Sequence, residues 1–279
     1  MDECGWKYYN HAAIPTCAPH EEPDITPIED GSIWKMAGRP LMARWTTDFD
    51  CGYETNWWYM VREAPFDPET LPARSRKHIR QALKKCSVKR ICVEEYMDAL
   101  YDCYHLAFLR YENADNEVSR EVFKRECIAD EQSGCEYWAG FSAESGLLIG
   151  YMKVRPYEEY TELLTTKLIP EFMNLRVSDA LYCTVLSHYL NEAGKRYVTS
   201  GSRNINHKTN TEEYKIQSFG YKRAYCRLHM KYQPAVKLVV DCLFPFRKLL
   251  RRFDGNTTVH QVNAVLRMEE ICREAKGEK

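Results

Sequence analysis

The stretch LIPEFMNLRVSDAL, Leu168–Leu181, decides how this chain is read. Ahead of it and overlapping it, YTELLTTKLI (160–169) is rich in threonine and aliphatic residues, which favours an extended strand. Pro170 closes that strand, because a proline has no amide to give to a ladder. Beyond it, SDALYCTVLSHYLNEAG (178–194) reads as a helix, with Ser178 expected as its N-cap and Gly194 at its end. The chain therefore passes from strand to helix, and the first amides of a helix have no partner within it and attract anions.

Working outward, RYVTSG (196–201) reads as a short buried strand. EEYKIQSFGYKRAY (212–225) reads as a short helix stopped by Gly220 and followed at once by the strand YKRAYCRLHMKY. Thr209 and Glu212 have capping-box spacing at the head of that helix. Upstream, EYWAGFSAESGLLIGYMKVRPY (136–157) reads as a hairpin turned at Glu144, Ser145 and Gly146. Val93, Met97, Leu100, Tyr104, Phe108 and Tyr111 recur at helical steps, and a second helix is expected from Ser119. SRKHIRQALKK (75–85) is a basic helix with Ser75 as expected N-cap, and PLMARWTTDFD and NWWYMVREA precede it as strands. Strand–helix–strand units behind an antiparallel hairpin imply an α/β (α+β) fold, a mixed β-sheet flanked by helices. Residues 1–40, with Pro15, Pro19, Pro23, Pro27 and Pro40, are expected to be an irregular N-terminal extension. Residues 41–232 form the expected main domain, and 233–279 a tail of amphipathic helices.

Lys and Arg total 39 against 40 for Asp and Glu, so the net charge of −1 selects no partner class. The distribution says more. Arg74, Arg76, Lys77, Arg80, Lys84, Lys85, Lys89 and Arg90 form a run without an acid, and Asp241 is the sole carboxylate from Lys222 to Arg252. No basic–apolar leader and no spanning apolar run is visible, so a cytoplasmic protein is expected. The 12 cysteines include no CxxC pair, which fits reduced, buried thiols. No metal is expected: Cys226 and His229 are spaced to point to opposite faces of a strand. Trp45, Trp57 and Trp58 read as strand core before they read as a sugar platform.

The element order resembles the GNAT (GCN5-related N-acetyltransferase) superfamily. Pro170, Glu171 and Phe172 fall on its Pro-Glu-Tyr, and Ala180-Leu181 on the Ala-Leu that begins the next helix, with the spacing between them kept. KIQSFGYKRAY (215–225) is similar to its Tyr-x-x-x-Gly-Phe corner. LPARSRKHIRQALKKCSVKRI (71–91) resembles the basic helix of the FemAB-like branch, which shares the fold and builds cell-wall peptide bridges from aminoacyl-tRNA. Two departures stand out. The glycines of the GNAT loop fall on Arg176 and Ser178 and its basic residue on Met173, and the tyrosine of the corner falls on Ile216.

The resemblance implies transfer of an acyl group from acyl-CoA, acetyl-CoA above all, to an amine such as an amino sugar or cell-envelope precursor. Donor contacts would come from Arg176, Val177, Ser178 and Asp179, and from Asn204 and Asn210 in the loop SGSRNINHKTN (200–210). Glu162 would be the base, and Arg74, Lys77 and Arg80 would hold an anionic substrate. The alternatives are a non-catalytic protein of the same fold on an anionic partner or membrane, and an aminoacyl-tRNA-dependent transferase. Nucleic acid is not the expected partner of the leading reading. PAVKLVVDCLFPFRKLLRRF (234–253) alternates apolar and basic residues, with Pro245 expected to break it. It suits closure of the core, a homodimer seam, or peripheral contact with the inner face of a membrane.

Overall fold

The computed structural model describes residues 4–110, 117–205 and 211–275. In chain order the elements begin with β1 (Trp6–Tyr9), β2 (Ala12–Pro15), α1 (Thr26–Glu29), β3 (Met42–Thr47) and β4 (Trp57–Glu63). There follow α2 (Ala73–Lys85), β5 (Cys86–Ile91), α3 (Met97–Phe108), α4 (Arg120–Gln132), β6 (Glu136–Ser142) and β7 (Leu148–Pro156). The rest are β8 (Tyr160–Leu168), α5 (Val177–Ser187), β9 (Tyr197–Ser202), α6 (Thr211–Phe219), β10 (Lys222–Tyr232), α7 (Pro234–Leu243), α8 (Arg247–Leu250) and α9 (Thr257–Ala275). Parallel and antiparallel pairs both occur, so the mixed-sheet α+β class holds. Two compact units interleave along the chain, whereas the sequence suggested three consecutive segments. One unit is Met1–Tyr59, Ser202–Thr209 and Arg223–Lys279, the other Met60–Gly201 and Asn210–Lys222.

In the second unit the strands run in the order β9-β8-β7-β6-β5. All neighbours are antiparallel except β8 and β9. α3 and α4 cover one face, where Leu100, Cys103, Phe123, Tyr137 and Tyr151 share a core. α5 covers the other, lying on β5, β6 and β7 with α2 against it. Covered on both faces, β6 is buried from Tyr137 to Ser142, which is why EYWAGFS is nearly continuous in apolar residues. α3 starts at Met97, leaving Val93 in the preceding turn, and α4 starts after Ser119, whose hydroxyl accepts from the Val122 amide.

Two expected caps lie elsewhere. α2 begins at Ala73 behind Pro72, whose ring fixes an extended entry; Ser75 is inside the helix, buried, and donates to the Gln217 carbonyl at 3.2 Å. α5 begins at Val177 behind Arg176, which reverses the chain in the left-handed region (φ 61°), so Ser178 lies in the first turn instead of capping it.

In the first unit β1 and β2 form a hairpin, β2 runs parallel to β3, and β3 pairs antiparallel with β10. Where an irregular extension was expected, residues 4–40 carry this hairpin and α1, and Ala13, Ile28 and Ile33, the last in a turn after α1, are buried with Ala43. Trp57 is core, and Trp45 stacks on His229 at 5.2 Å. In the tail, α7 ends just before Pro245 as expected, and Val240, Phe244 and Leu266 pack with Tyr232. No helix among the described residues is long and apolar enough to cross a membrane.

Candidate functional site

The two edges of β8 differ. Towards β7 it is paired from Thr161 to Leu168. Towards β9 only Tyr160, Thr161 and Glu162 find partners, in Tyr197, Val198 and Thr199. Near the same level β8 carries a bulge: Val154 pairs with Leu163 and Lys153 with Thr165, leaving Leu164 as the extra residue. A bulge bends its strand and frees backbone groups from the ladder. From Leu163 onward, therefore, β8 has an edge with no strand of β9 beside it. Glu162 is in the last closed pair, half-buried, opposite Arg155 and on the sheet face covered by α3 and α4. Its charge, after burial, helps to raise the pKa of Tyr157.

The start of α5 is fixed to the sheet by two glycines. A Cβ on Gly140 would stand 2.5 Å from Cγ2 of Val177, and one on Gly150 would stand 2.8 Å from Leu168 and 3.5 Å from Val177. Their bare backbones let the first turn of α5 sit directly on β6 and β7. Among the described residues, nothing accepts from the amides of Val177 and Ser178; Val177 is fully buried, so it is at the half-buried Ser178 that the positive end of the helix can meet a ligand. The third position is occupied differently. Asp179 is buried; its carboxylate accepts from the Tyr214 hydroxyl at 2.8 Å and lies 3.7 Å from the Arg176 guanidinium. The Ser178 hydroxyl is 3.0 Å from the same tyrosine oxygen. Burial, then the Asp179 charge, pushes the Tyr214 phenol well above its usual range, so it stays protonated and donates.

α2 adds a cationic rim. His78 is held below its usual pKa by burial first, then by Arg176, with Arg74 and Lys77 acting in the same direction and Asp179 opposing. One imidazole thus senses two cations of α2 and the arginine that precedes α5. Arg80 is held by Glu69 at 2.6 Å and is less available than its neighbours.

The corner after α6 is built as read from the sequence. Gly220 takes φ 67°, and the amides of Gly220 and Tyr221 return to the carbonyls of Ile216 and Lys215. Phe219 is fully buried and stacks on Tyr182 at 4.9 Å, with Tyr214 and Tyr221 around them. The Tyr221 hydroxyl is buried and has no hydrogen-bond partner among the described residues. Lys215, part-buried beside this cluster in sequence, has its pKa lowered to about 8 by burial, against the pull of Glu212.

Of the residues the sequence singled out, Arg176, Val177, Ser178 and Asp179 come together, and Arg74 and Lys77 border them through His78. Glu162 is on β8, where the gap to β9 begins. Asn204 belongs to the first unit, exposed after β9, and Asn210 is outside the described residues, as are His207 and Thr209. Sequence reading missed His78 and Lys215, and set Tyr214 aside because it lies about 200° round a helix from Ile216. The spacing of Ser75, His78, Ile79 and Ala82 was the available signal for His78, since it continues the inward stripe of α2.

No protein family's sequence pattern matches the chain, and no curated protein matches it in sequence. Solved structures do match. FemX superposes with a TM-score of 0.55 at 9% identity, over 78% of this chain and 81% of that one. The C-terminal DUF2156 domain of an Agrobacterium fabrum protein assigned as a lysylphosphatidylglycerol synthetase gives 0.54 at 11%, over 84% and 82%. L-PGS from Bacillus licheniformis gives 0.51 at 11%, over 88% and 85%. The fold is GNAT/FemAB-like. At these identities the likeness is one of fold, and the chemistry must be argued from the residues above.

Proposed function

We propose that this chain is an acyl or aminoacyl transferase that holds the donor carbonyl in the gap between β8 and β9. The observation that carries this reading is the end of β8–β9 pairing after Glu162, beside the bulge at Leu164 and within the unit that presents the open end of α5. The unpaired backbone edge of β8 supplies amides to a carbonyl oxygen as negative charge develops on it. An acceptor amine attacks the carbonyl carbon, the ester or thioester bond breaks, and the leaving oxygen or sulfur takes up a proton. Glu162, directly or through a water, takes the proton the nitrogen loses. Arg74, Lys77 and Arg176 hold the phosphate-bearing part of the donor.

Two donors suit this chemistry. Coenzyme A needs a place for its diphosphate, and the Ser178 amide with the Arg176 guanidinium would be that place, the Val177 amide being fully buried. Against it, side chains stand at both glycine positions of the GNAT pattern, and the Asp179 carboxylate already faces the positive end of the helix. The aminoacyl ester of a tRNA asks for no diphosphate cradle there, and the basic face of α2 suits its backbone. The likeness of residues 71–91 to the basic helix of the FemAB-like branch accords with that donor. It is the one we favour.

The test offers purified protein acetyl-CoA and charged tRNA in parallel, reading thermal shift, filter binding and transfer to small amines. Charged tRNA is expected to bind and to lose its aminoacyl group to an amine. Glu162→Gln should lower that rate roughly a hundredfold with binding kept. Binding of acetyl-CoA alone would reassign the donor to the thioester, and binding of neither at millimolar and micromolar levels respectively would remove the transferase reading.

A further inference from the structure

The outward face of the tail is unlike the rest of the surface. Leu238, Phe246, Leu249 and Phe253 are 67%, 58%, 51% and 60% exposed. Leu238 is on α7, and Phe246, Leu249 and Phe253 follow at steps of three and four through α8 and the turns that flank it, forming one stripe there. The opposite stripe, with Val240, Phe244 and the half-buried Leu243 and Leu250, is the one that packs onto Tyr232 and α9. The segment has therefore already closed its core, and a second apolar face is left over.

The charges divide in the same way. Arg247 and Arg251 both hold Glu270, while Asp241 is held by Lys237 and Arg273. Asp241 and Glu270 are thus engaged by cations other than Lys248 and Arg252. Lys248 and Arg252 sit on the outer side, exposed, and no acid among the described residues pairs with them. An apolar stripe carrying two uncompensated cations needs a cover that is apolar in depth and anionic at its rim.

We infer that this face docks on an anionic lipid bilayer, with Phe246, Leu249 and Phe253 entering the acyl boundary and Lys248 and Arg252 at the lipid phosphates. A second copy of the chain is the poorer occupant. In a two-fold seam the same patch meets itself, so the cations of both copies would be gathered into one seam that brings no acid to pair them. The docking surface does not depend on the donor site, and its test reads binding alone.

The full chain is sedimented with vesicles of phosphatidylcholine, with and without one-third phosphatidylglycerol, while light scattering follows its mass in solution. Binding is expected only with the anionic lipid and should fall steeply between 0.1 and 0.5 M salt. Lys248→Ser with Arg252→Ser should weaken it roughly twenty-five-fold, from about fivefold per cation. Phe246→Ser with Leu249→Ser should abolish it while leaving circular dichroism and melting unchanged. Absence of binding to anionic vesicles, binding that survives both double variants, or a dimer dispersed by Phe246→Ser in place of vesicle binding would each overturn the inference.

Discussion

α5 and α7 are both rich in apolar residues, and they use them in opposite ways. Eight of the eleven residues of α5 are buried, Asp179 among them. In α7 only Val240 of ten is buried, although most of the segment is apolar. α5 is surrounded by sheet, α2 and the α6 corner, so even its polar groups had to find partners inside. α7 has one neighbour face, and its remaining apolar area has no use in folding. A helix that needs burial on every side positions a site; a helix with surplus apolar surface meets something else.

The sharpest way to break that contrast is to lift α5 from its seat. Gly140→Val puts side-chain atoms where Val177 already is, since even a Cβ would lie 2.5 Å from Cγ2. Overpacking a core at such a point costs about 3 kcal/mol, only partly offset by the better strand propensity of valine. Melting should fall accordingly, and donor binding should fall with it because the helix start moves. Adding Val177→Ala should recover part of both, and a double-mutant cycle without coupling would show that the glycine does not seat the helix.

Lys215 sits on α6, which supports the same helix through Tyr214. Its folded pKa of about 8 is below the ordinary 10.5, so the folded state binds fewer protons than the unfolded chain between those values. Stability should rise with pH across that window, and below pH 8 the charge is a standing cost. Lys215→Met should stabilise the protein by roughly 2 kcal/mol at pH 7, an advantage that disappears towards pH 10.5. Denaturant melts at pH 7 and pH 10 check it; an equal difference at both would mean that the lysine is not desolvated. Tyr214→Phe is the smaller change. It leaves the buried Asp179 without its 2.8 Å donor and should cost about 1–2 kcal/mol. The wild type should also lose stability above pH 10, where unfolded tyrosines ionise and the folded Tyr214 does not, and the variant should lose less.

These positions were unequally legible in the sequence. The strand ending at Pro170, the hairpin at Gly146 and the corner at Gly220 depend on local conformational rules, and each stands where those rules put it. The gap beyond Glu162 depends on where pairing stops and on one extra residue at Leu164, and no local pattern announces either. Serine caps misled for a related reason. Ser75 and Ser178 have the right chemistry for a helix start, but α2 and α5 are started by backbone, at Pro72 and Arg176, and their hydroxyls go to α6. His78 and Tyr214 look like ordinary polar residues until α2 and α6 are both laid against the first turn of α5.

The smallest expected effect belongs to the tail, and its smallness is the point. Leu249 is half exposed and outside the cluster of Val240, Phe244 and Leu266. Leu249→Ser therefore removes little buried area, and surface changes of this kind usually stay within about 0.5 kcal/mol. A leucine that contributes little to folding is free to serve a contact outside the chain. Melting of Leu249→Ser beside Leu266→Ser distinguishes the two faces of the segment: the inner change should cost about 3 kcal/mol or more and the outer almost nothing. If the outer change destabilises as much as the inner, the outer stripe belongs to the core, and both the contrast with α5 and the lipid docking built on it fail together.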